Sequence, residues 1–237
     1  FFGYTPCNLI EMPDLEYFTA NARLPEYSFY CFNSAEIGVT GMLTGVPDNK
    51  FDGRALDYIG DYAFYHFDYN AEYLQSLGKN FHLTNSLAFG IGAHAFEGFA
   101  GGKSCALREL PVNSFYTLYC KSIGDFAFSE FIKDNRYADI PAGAFNLTNL
   151  YSAGNSAFKE FMSGSLVLSL PKNAFYFKSL EQVGDDFAVG FARSTSNFSC
   201  YCTSYPDNFF KFEKLKKVGD NFCSQFLYRN KPGRKVT

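Results

Sequence analysis

The chain contains no tryptophan and only three histidines, His66, His82 and His94, which share no motif. No H-E-x-x-H, G-x-S-x-G or phosphate-loop pattern occurs, so neither a metal trio nor a hydrolytic centre is expected. Seven cysteines are present without a single CxxC pair, which argues against a zinc ribbon or a thioredoxin-type redox motif. No apolar run approaches the roughly 18–20 residues needed to cross a bilayer, so no membrane insertion is expected. The net charge of −3 provides no field for nucleic acid or an anionic membrane. The opening "FFGYTPCNLI" carries no recognisable secretory leader, as expected of an excised or mature fragment. These absences together predict a protein without enzymatic activity, cofactor or metal.

Phenylalanine and tyrosine are abundant: aromatics make up 19% of the chain, and they fall in columns. The phrases "YIGDYAFYHF", "GIGAHAFEGF", "SIGDFAFSEF", "SAGNSAFKEF", "QVGDDFAVGF" and "KVGDNFCSQF" align on Gly60, Gly92, Gly124, Gly154, Gly184 and Gly219. Seven residues after each glycine stands a phenylalanine: Phe67, Phe99, Phe131, Phe161, Phe191 and Phe226. A second phrase interleaves with the first, as "LPEYSF" (24–29), "VPDNKF" (46–51), "LGKNFH" (77–82), "LPVNSF" (110–115), "IPAGAF" (140–145), "LPKNAF" (170–175) and "YPDNFF" (205–210). Asparagine usually stands two after its proline or glycine, with Tyr27 and Gly143 as the exceptions.

A unit of about 30 residues cannot bury an apolar face alone, so such units must stack into a solenoid. Extended pieces such as "LVLSLP" (166–171) suit strands, and proline or glycine ends them. Asn or Asp can then cap a short helical turn, and aromatics three or four residues apart face inward. The expected fold is an α/β repeat solenoid: a leucine-rich-repeat-like right-handed coil with a parallel sheet on one side and short helices or turns on the other. Whether each unit makes one coil or two is open at this level. The organisation reads as an N-terminal cap or degenerate repeat over 1–23, the solenoid over 24–227, and a basic tail or linker over 228–237. The spacing of Pro25 and Pro47 marks the first unit as shortened.

The remaining signals are local. Cys120 and Cys223 fall in apolar columns and read as buried hydrophobes, whereas Cys105 and Cys200 lie about 14 Å apart at the ~4.8 Å strand spacing, too far for a disulfide. The column Asp61, Asp125, Asn155, Asp185 and Asp220, broken by Ala93, reads as capping and not as a calcium ladder, which uses glycine-dense nonapeptides. Two sequons begin at Asn146 and Asn197. The segments 98–109 and 191–204 differ in length and composition between units, where a solenoid carries binding loops. Their polar residues Lys103, Arg108, Arg193 and Ser196 are the candidate partner-binding set. Tyrosine-rich stretches such as "FYHFDYNAEYLQ" and "NSFYTLYCKS" suit a recognition surface.

The alternation "LPxxAF…L…ΦGDxAFxxF", where Φ is apolar, resembles the BspA-type leucine-rich repeats of microbial surface proteins, with "SIGDFAF" and "YIGDYAF" as the nearest pieces. The match runs from about residue 24 to 226, with a longer repeat here and phenylalanine where that family often has cysteine. The resemblance implies an extracellular or cell-surface binding or adhesion module that recognises a protein or glycan partner. A second reading is a structural subunit of a surface layer, appendage or viral fibre, whose partner would be itself.

Overall fold

Flat phenylalanine rings recurring once per unit pack best when the units lie directly on one another. The computed structural model describes residues 22–35, 41–46, 48, 56–78, 89–108, 110–117, 119–135, 140–165, 172–194, 207–226 and 228. In it the chain is a parallel-strand β-solenoid. One sheet runs along the glycine phrase and has seven strands: β1 (Ala22–Leu24), β2 (Leu56–Ile59), β3 (Gly90–Ile91), β5 (Ser122–Ile123), β7 (Ser152–Ala153), β9 (Gln182–Val183) and β11 (Lys217–Val218). The other runs along the proline phrase and has four: β4 (Phe115–Thr117), β6 (Phe145–Leu147), β8 (Phe175–Phe177) and β10 (Phe210–Phe212). Every pairing is parallel.

Register settles the repeat unit. Ser122 and Ile123 pair with Ser152 and Ala153, thirty residues on, while Phe115 pairs with Phe145. Both phrases therefore belong to one coil: each unit of about thirty residues makes one turn, and from Phe115 onward each described unit has a strand in each sheet. Leu24 pairs with Ile59, which puts Pro25 in the column of Gly60. "LPEYSF" is thus a glycine-phrase coil that begins with proline, so Pro25 does not open the proline phrase and its distance from Pro47 marks no shortened unit. Tyr27 is no exception to the asparagine rule, because it never belonged to that column. Of the expected cap over 1–23, Ala22 and Arg23 are described and belong to β1; the rest of it, the tail over 228–237 beyond Tyr228 and the strand over 166–171 lie outside the described residues.

The expected helices are replaced by something else. Among the described residues there is no helix. After each glycine the backbone takes positive φ at fixed columns: Tyr62, His66, Asp68 and Asn70 in one coil, and Phe126, Glu130, Ile132 and Asp134 two coils on. A left-handed residue at alternate positions breaks helical continuity, at a cost of about 1–2 kcal/mol each. Hydrogen bonds between coils offset it. Tyr62, Phe64 and His66 donate their N–H groups to the carbonyls of Ala93, Ala95 and Glu97, and Phe126, Phe128 and Glu130 repeat the pattern on Asn155, Ala157 and Lys159. The asparagines of the proline phrase follow the same logic. Asn113, Asn173 and Asn208 have φ of 62°, 55° and 59°, and Gly143 in their column has 77°. Ser114 and Ala144 close these turns by donating to Pro111 and Pro141. Positive φ at the third turn residue favours Gly or Asn, so these residues turn the chain and do not cap a helix.

Three aromatic ladders fill the interior. Phe32, Phe67, Phe99, Phe131, Phe161 and Phe191 stack at centroid separations of 5.0–5.4 Å, and Phe226 extends the row at 5.3 Å. Phe29, Phe64, Phe96, Phe128 and Phe158 form a second row, and Phe115, Phe145 and Phe175 a third. Between rows the rings meet edge-on, as Phe115 meets Phe128 at 87°. Stacked contacts along the axis and edge contacts across it are the two favourable aromatic geometries.

The acidic column ties coils together. The Oδ1 of Asp125 accepts from the N–H of Asn155 at 2.7 Å, Asn155 does the same for Asp185 at 2.9 Å, and Asp185 for Asp220 at 2.8 Å. These side chains cap the next coil, not their own turn. The glycine beside them is needed for close approach: a Cβ on Gly154 would fall 2.6 Å from the Asp125 nitrogen.

Phe161→Ala should therefore cost about 3–5 kcal/mol in denaturant melts. Asp125→Ala, which removes one hydrogen bond, should cost about 1 kcal/mol. The reverse order would refute the ladder assignment. Gly143→Asn should leave the thermal melt nearly unchanged, since a Cβ there meets only Asn113 Oδ1 at 3.8 Å and asparagine tolerates the backbone. Gly143→Val should lower it by several degrees, because a β-branched residue resists positive φ.

Candidate binding groove

A column without side chains leaves a channel. Gly124, Gly154, Gly184 and Gly219 form the floor of a groove of about 550 Å³ that runs along the solenoid axis. Ile123, Ala153 and Val183 lie beside the glycines, buried but for 3–5% of their surface. One bank is Asp125, Asn155 and Asp185; the other is Ser152, Gln182 and Lys217. The same column opens again in the first coils. There a cleft of about 510 Å³ is lined by Leu24, Pro25 and Gly60, between Arg23 and Tyr58 on one side and Glu26 and Tyr27 on the other. Arg23 lies over the rings of Tyr58 and Phe89, 5.2 and 5.3 Å from their centroids. Desolvation and the neighbouring Asp61 carboxylate raise the Tyr58 hydroxyl above its ordinary value.

Beside the aromatic end of the groove stands an outer stack. Tyr27, Tyr62, His94 and Phe126 are parallel within 8° at 4.5–5.1 Å, and Tyr30 stacks on Tyr65 next to them. In later coils the Tyr62 column becomes Ser156, Asp186 and Asn221, so the face changes from aromatic to polar along the axis. His94 pairs with Glu97, and His66 is buried between Tyr65 and Tyr69. Aromatic stacking holds His66 within the coil, while His94 keeps about a quarter of its side chain exposed. His82 lies outside the described residues.

The four candidate residues from the sequence do not converge. Lys103 and Arg108 are exposed, but their segment is built into the stack. Cys105 and Leu107 are buried, and Ala106 and Arg108 donate backbone N–H groups to Ala71 and Gln75. Residues 98–108 are thus coil, not a projecting loop. Arg193 lies three coils from Lys103, about 14 Å at the ~4.8 Å strand spacing. It is engaged within the molecule, donating to Glu160 at 2.6 Å and to Gln225 at 2.8 Å. Glu160 also pairs with Lys133, which pairs with Glu130, so one ion-pair row crosses three coils. Burial alone would raise the Glu160 carboxyl; Lys133 and Arg193 outweigh it and hold it below the ordinary range. Ser196 lies outside the described residues. The groove was signalled in the sequence by its bare glycine column, which the repeat analysis read only as a corner.

A buried polar cluster gathers Asn33, Asp68 and Cys105. Asp68 is fully buried; Asn33 donates to its Oδ1 at 2.6 Å and the Cys105 thiol to its Oδ2 at 3.5 Å. Desolvation raises the Asp68 carboxyl well above 3.8, and it raises the Cys105 thiol as well. Cys31, Cys105, Cys120 and Cys223 are free thiols. Burial pushes Cys120 up to about 12 and the half-buried Cys223 up to about 11, so both pack as apolar groups.

Because the folded chain binds the Asp68 proton more tightly than the unfolded chain, this group favours folding most at low pH. That contribution falls as pH rises from 3.8 to the raised folded value. Asp68→Asn should melt close to the parent at about pH 3.5 and progressively above it toward about pH 8. Parallel melting curves at all pH values would remove the buried carboxyl from the pH dependence.

Comparison with protein-family models, curated proteins and solved structures returns no match to this chain.

Proposed function

We propose that the chain is a non-catalytic recognition module of a cell surface or the extracellular space, binding a protein or glycan partner along the groove face. The observation that carries this reading is the contrast between floor and banks. Gly124, Gly154, Gly184 and Gly219 repeat unchanged, whereas the bank positions pass through Ser122, Ser152, Gln182 and Lys217. Stacking dictates the floor and, through the inter-coil hydrogen bonds of Asp125, Asn155 and Asp185, one bank, whereas the other bank changes from coil to coil. Variation confined to an exposed face of a rigid scaffold is the arrangement of a binding surface. The resemblance to BspA-type surface proteins supports the same reading and its location. The described residues of the first proposed contact segment, Lys103 and Arg108, lie outside both stretches of the groove.

A structural role is the second reading, and the last described coil favours it. Phe210, Phe212, Phe222 and Phe226 are only partly buried there, and Val218 is 47% exposed. A surface of this kind suits docking of another solenoid end.

Beads coated with the chain should be retained by layers of cells or deposited extracellular matrix. Ser152→Arg combined with Gln182→Arg fills the groove from half-exposed positions and should abolish retention while the thermal melt stays within a few degrees. Retention unaffected by the double variant would move the site elsewhere. Concentration-dependent assembly without any retention would favour the structural reading.

A further inference from the structure

The recognition proposed above leaves the chemical class of the ligand open, and the groove's own atoms narrow it. Resting on that reading, we infer that the groove takes a neutral polysaccharide strand laid lengthwise along the solenoid axis.

The first argument concerns the backbone. An extended peptide binds a sheet protein by adding rungs to free N–H and C=O groups. In this floor the rungs are already used: Gly124, Gly154, Gly184 and Gly219 donate to Ile91, Ile123, Ala153 and Val183 at 2.9–3.1 Å. The strand axes also run across the groove, so a peptide lying in it would cross the ladder and not extend it. A ligand must be held by side chains.

The second argument concerns what those side chains offer. Each coil adds one group to each bank, at the ~4.8 Å spacing of parallel strands, which is close to the length of one pyranose in an extended glycan. Ser152 and Gln182 present a hydroxyl and an amide, each able to donate and accept. Across from them the Oδ1 atoms of Asn155 and Asp185 serve the next coil; the Asn155 amide nitrogen also reaches Asp125 Oδ2 at 3.5 Å but has a second N–H for a ligand, as Asp185 has its second oxygen. A polymer of hydroxyl groups needs this mixture of donors and acceptors, repeated at the interval of its own units.

The third argument is charge. The polar stretch carries Asp125 and Asp185 against Lys217, and the aromatic stretch carries Glu26 against Arg23. Neither sign dominates, so the groove has no field to collect a polyanion or a polycation. At the aromatic stretch Tyr27 is 49% exposed and Phe89 63% exposed, and their C–H and ring surfaces suit the apolar faces of sugar rings. The inference names a ligand class that combines hydroxyl edges with apolar faces and lacks charge.

Native affinity electrophoresis through gels containing hydroxyethyl cellulose, mannan, xylan or dextran tests this directly. At least one should retard the parent chain in proportion to its concentration. Ser152→Ala combined with Gln182→Ala, which removes bank groups without touching the inter-coil hydrogen bonds, should bind it about tenfold more weakly with an unchanged melt. The retention layers provide the separate arm. Retention that survives protease and is lost after periodate oxidation of vicinal diols supports the glycan. Retention that is lost to protease, survives periodate and still needs the groove overturns the glycan while leaving the recognition reading intact. No retardation in any gel together with no retention overturns both.

Discussion

Everything in this molecule follows from the distance between successive coils. Parallel backbone pairing holds neighbours at about 4.8 Å, and a flat aromatic ring stacks comfortably on its own copy at nearly the same separation. Centroid distances of 5.0–5.1 Å down the Phe67–Phe191 row show the two requirements meeting. A residue in such a column is chosen for self-compatibility: it must pack against itself above and below. That condition explains why phenylalanine and glycine recur, one by filling the interval and the other by leaving no atom in it.

The same spacing permits local exchange without loss of the whole. In the Gly60, Gly92, Gly124 and Gly154 coils an alanine precedes the first phenylalanine, as in Ala127–Phe128 and Ala157–Phe158. In the next coil the order inverts to Phe187–Ala188, and both remain fully buried. Phe187 meets Phe158 edge-on at 67° and stacks on Phe222 at 9°, so the row changes geometry once and then resumes. Volume is conserved across the pair, which is the kind of core change that proteins tolerate.

The columns were legible in the sequence because stacking writes the same residue at the same interval. The turn conformation was less so. Phenylalanines at +4 and +7 from Gly60, Gly92, Gly124 and Gly154 mimic a helical face, and Tyr62, His94, Phe126 and Asp186 are chemically too varied to announce positive φ. Only Asn70, Gly102, Asp134 and Gly164 share residue types that favour it. Pro25 misled because proline opens the other phrase, and only pairing could show that it shares the column of Gly60. The groove required the third dimension, since a row of absent side chains becomes a channel only when the coils are superposed. The candidate basic residues failed to cluster because polarity alone does not say which charges the fold already uses, as Arg193 shows with Glu160.

The alternating turns give the solenoid an electrical polarity that an ordinary sheet lacks. In a strand successive N–H groups point opposite ways and their dipoles nearly cancel. Here Tyr62, Phe64 and His66 all point theirs toward the following coil, as do Phe126, Phe128 and Glu130, while the return bond from Ala100 to Phe67 runs the other way. Within each such turn four N–H groups point forward and one points back, whereas the glycine and strand N–H groups across the coil, such as those of Gly154 and Ser152, point back. The turn side thus has its positive pole toward the coil that carries Lys216 and Lys217, and the glycine sheet beside it has the opposite sense.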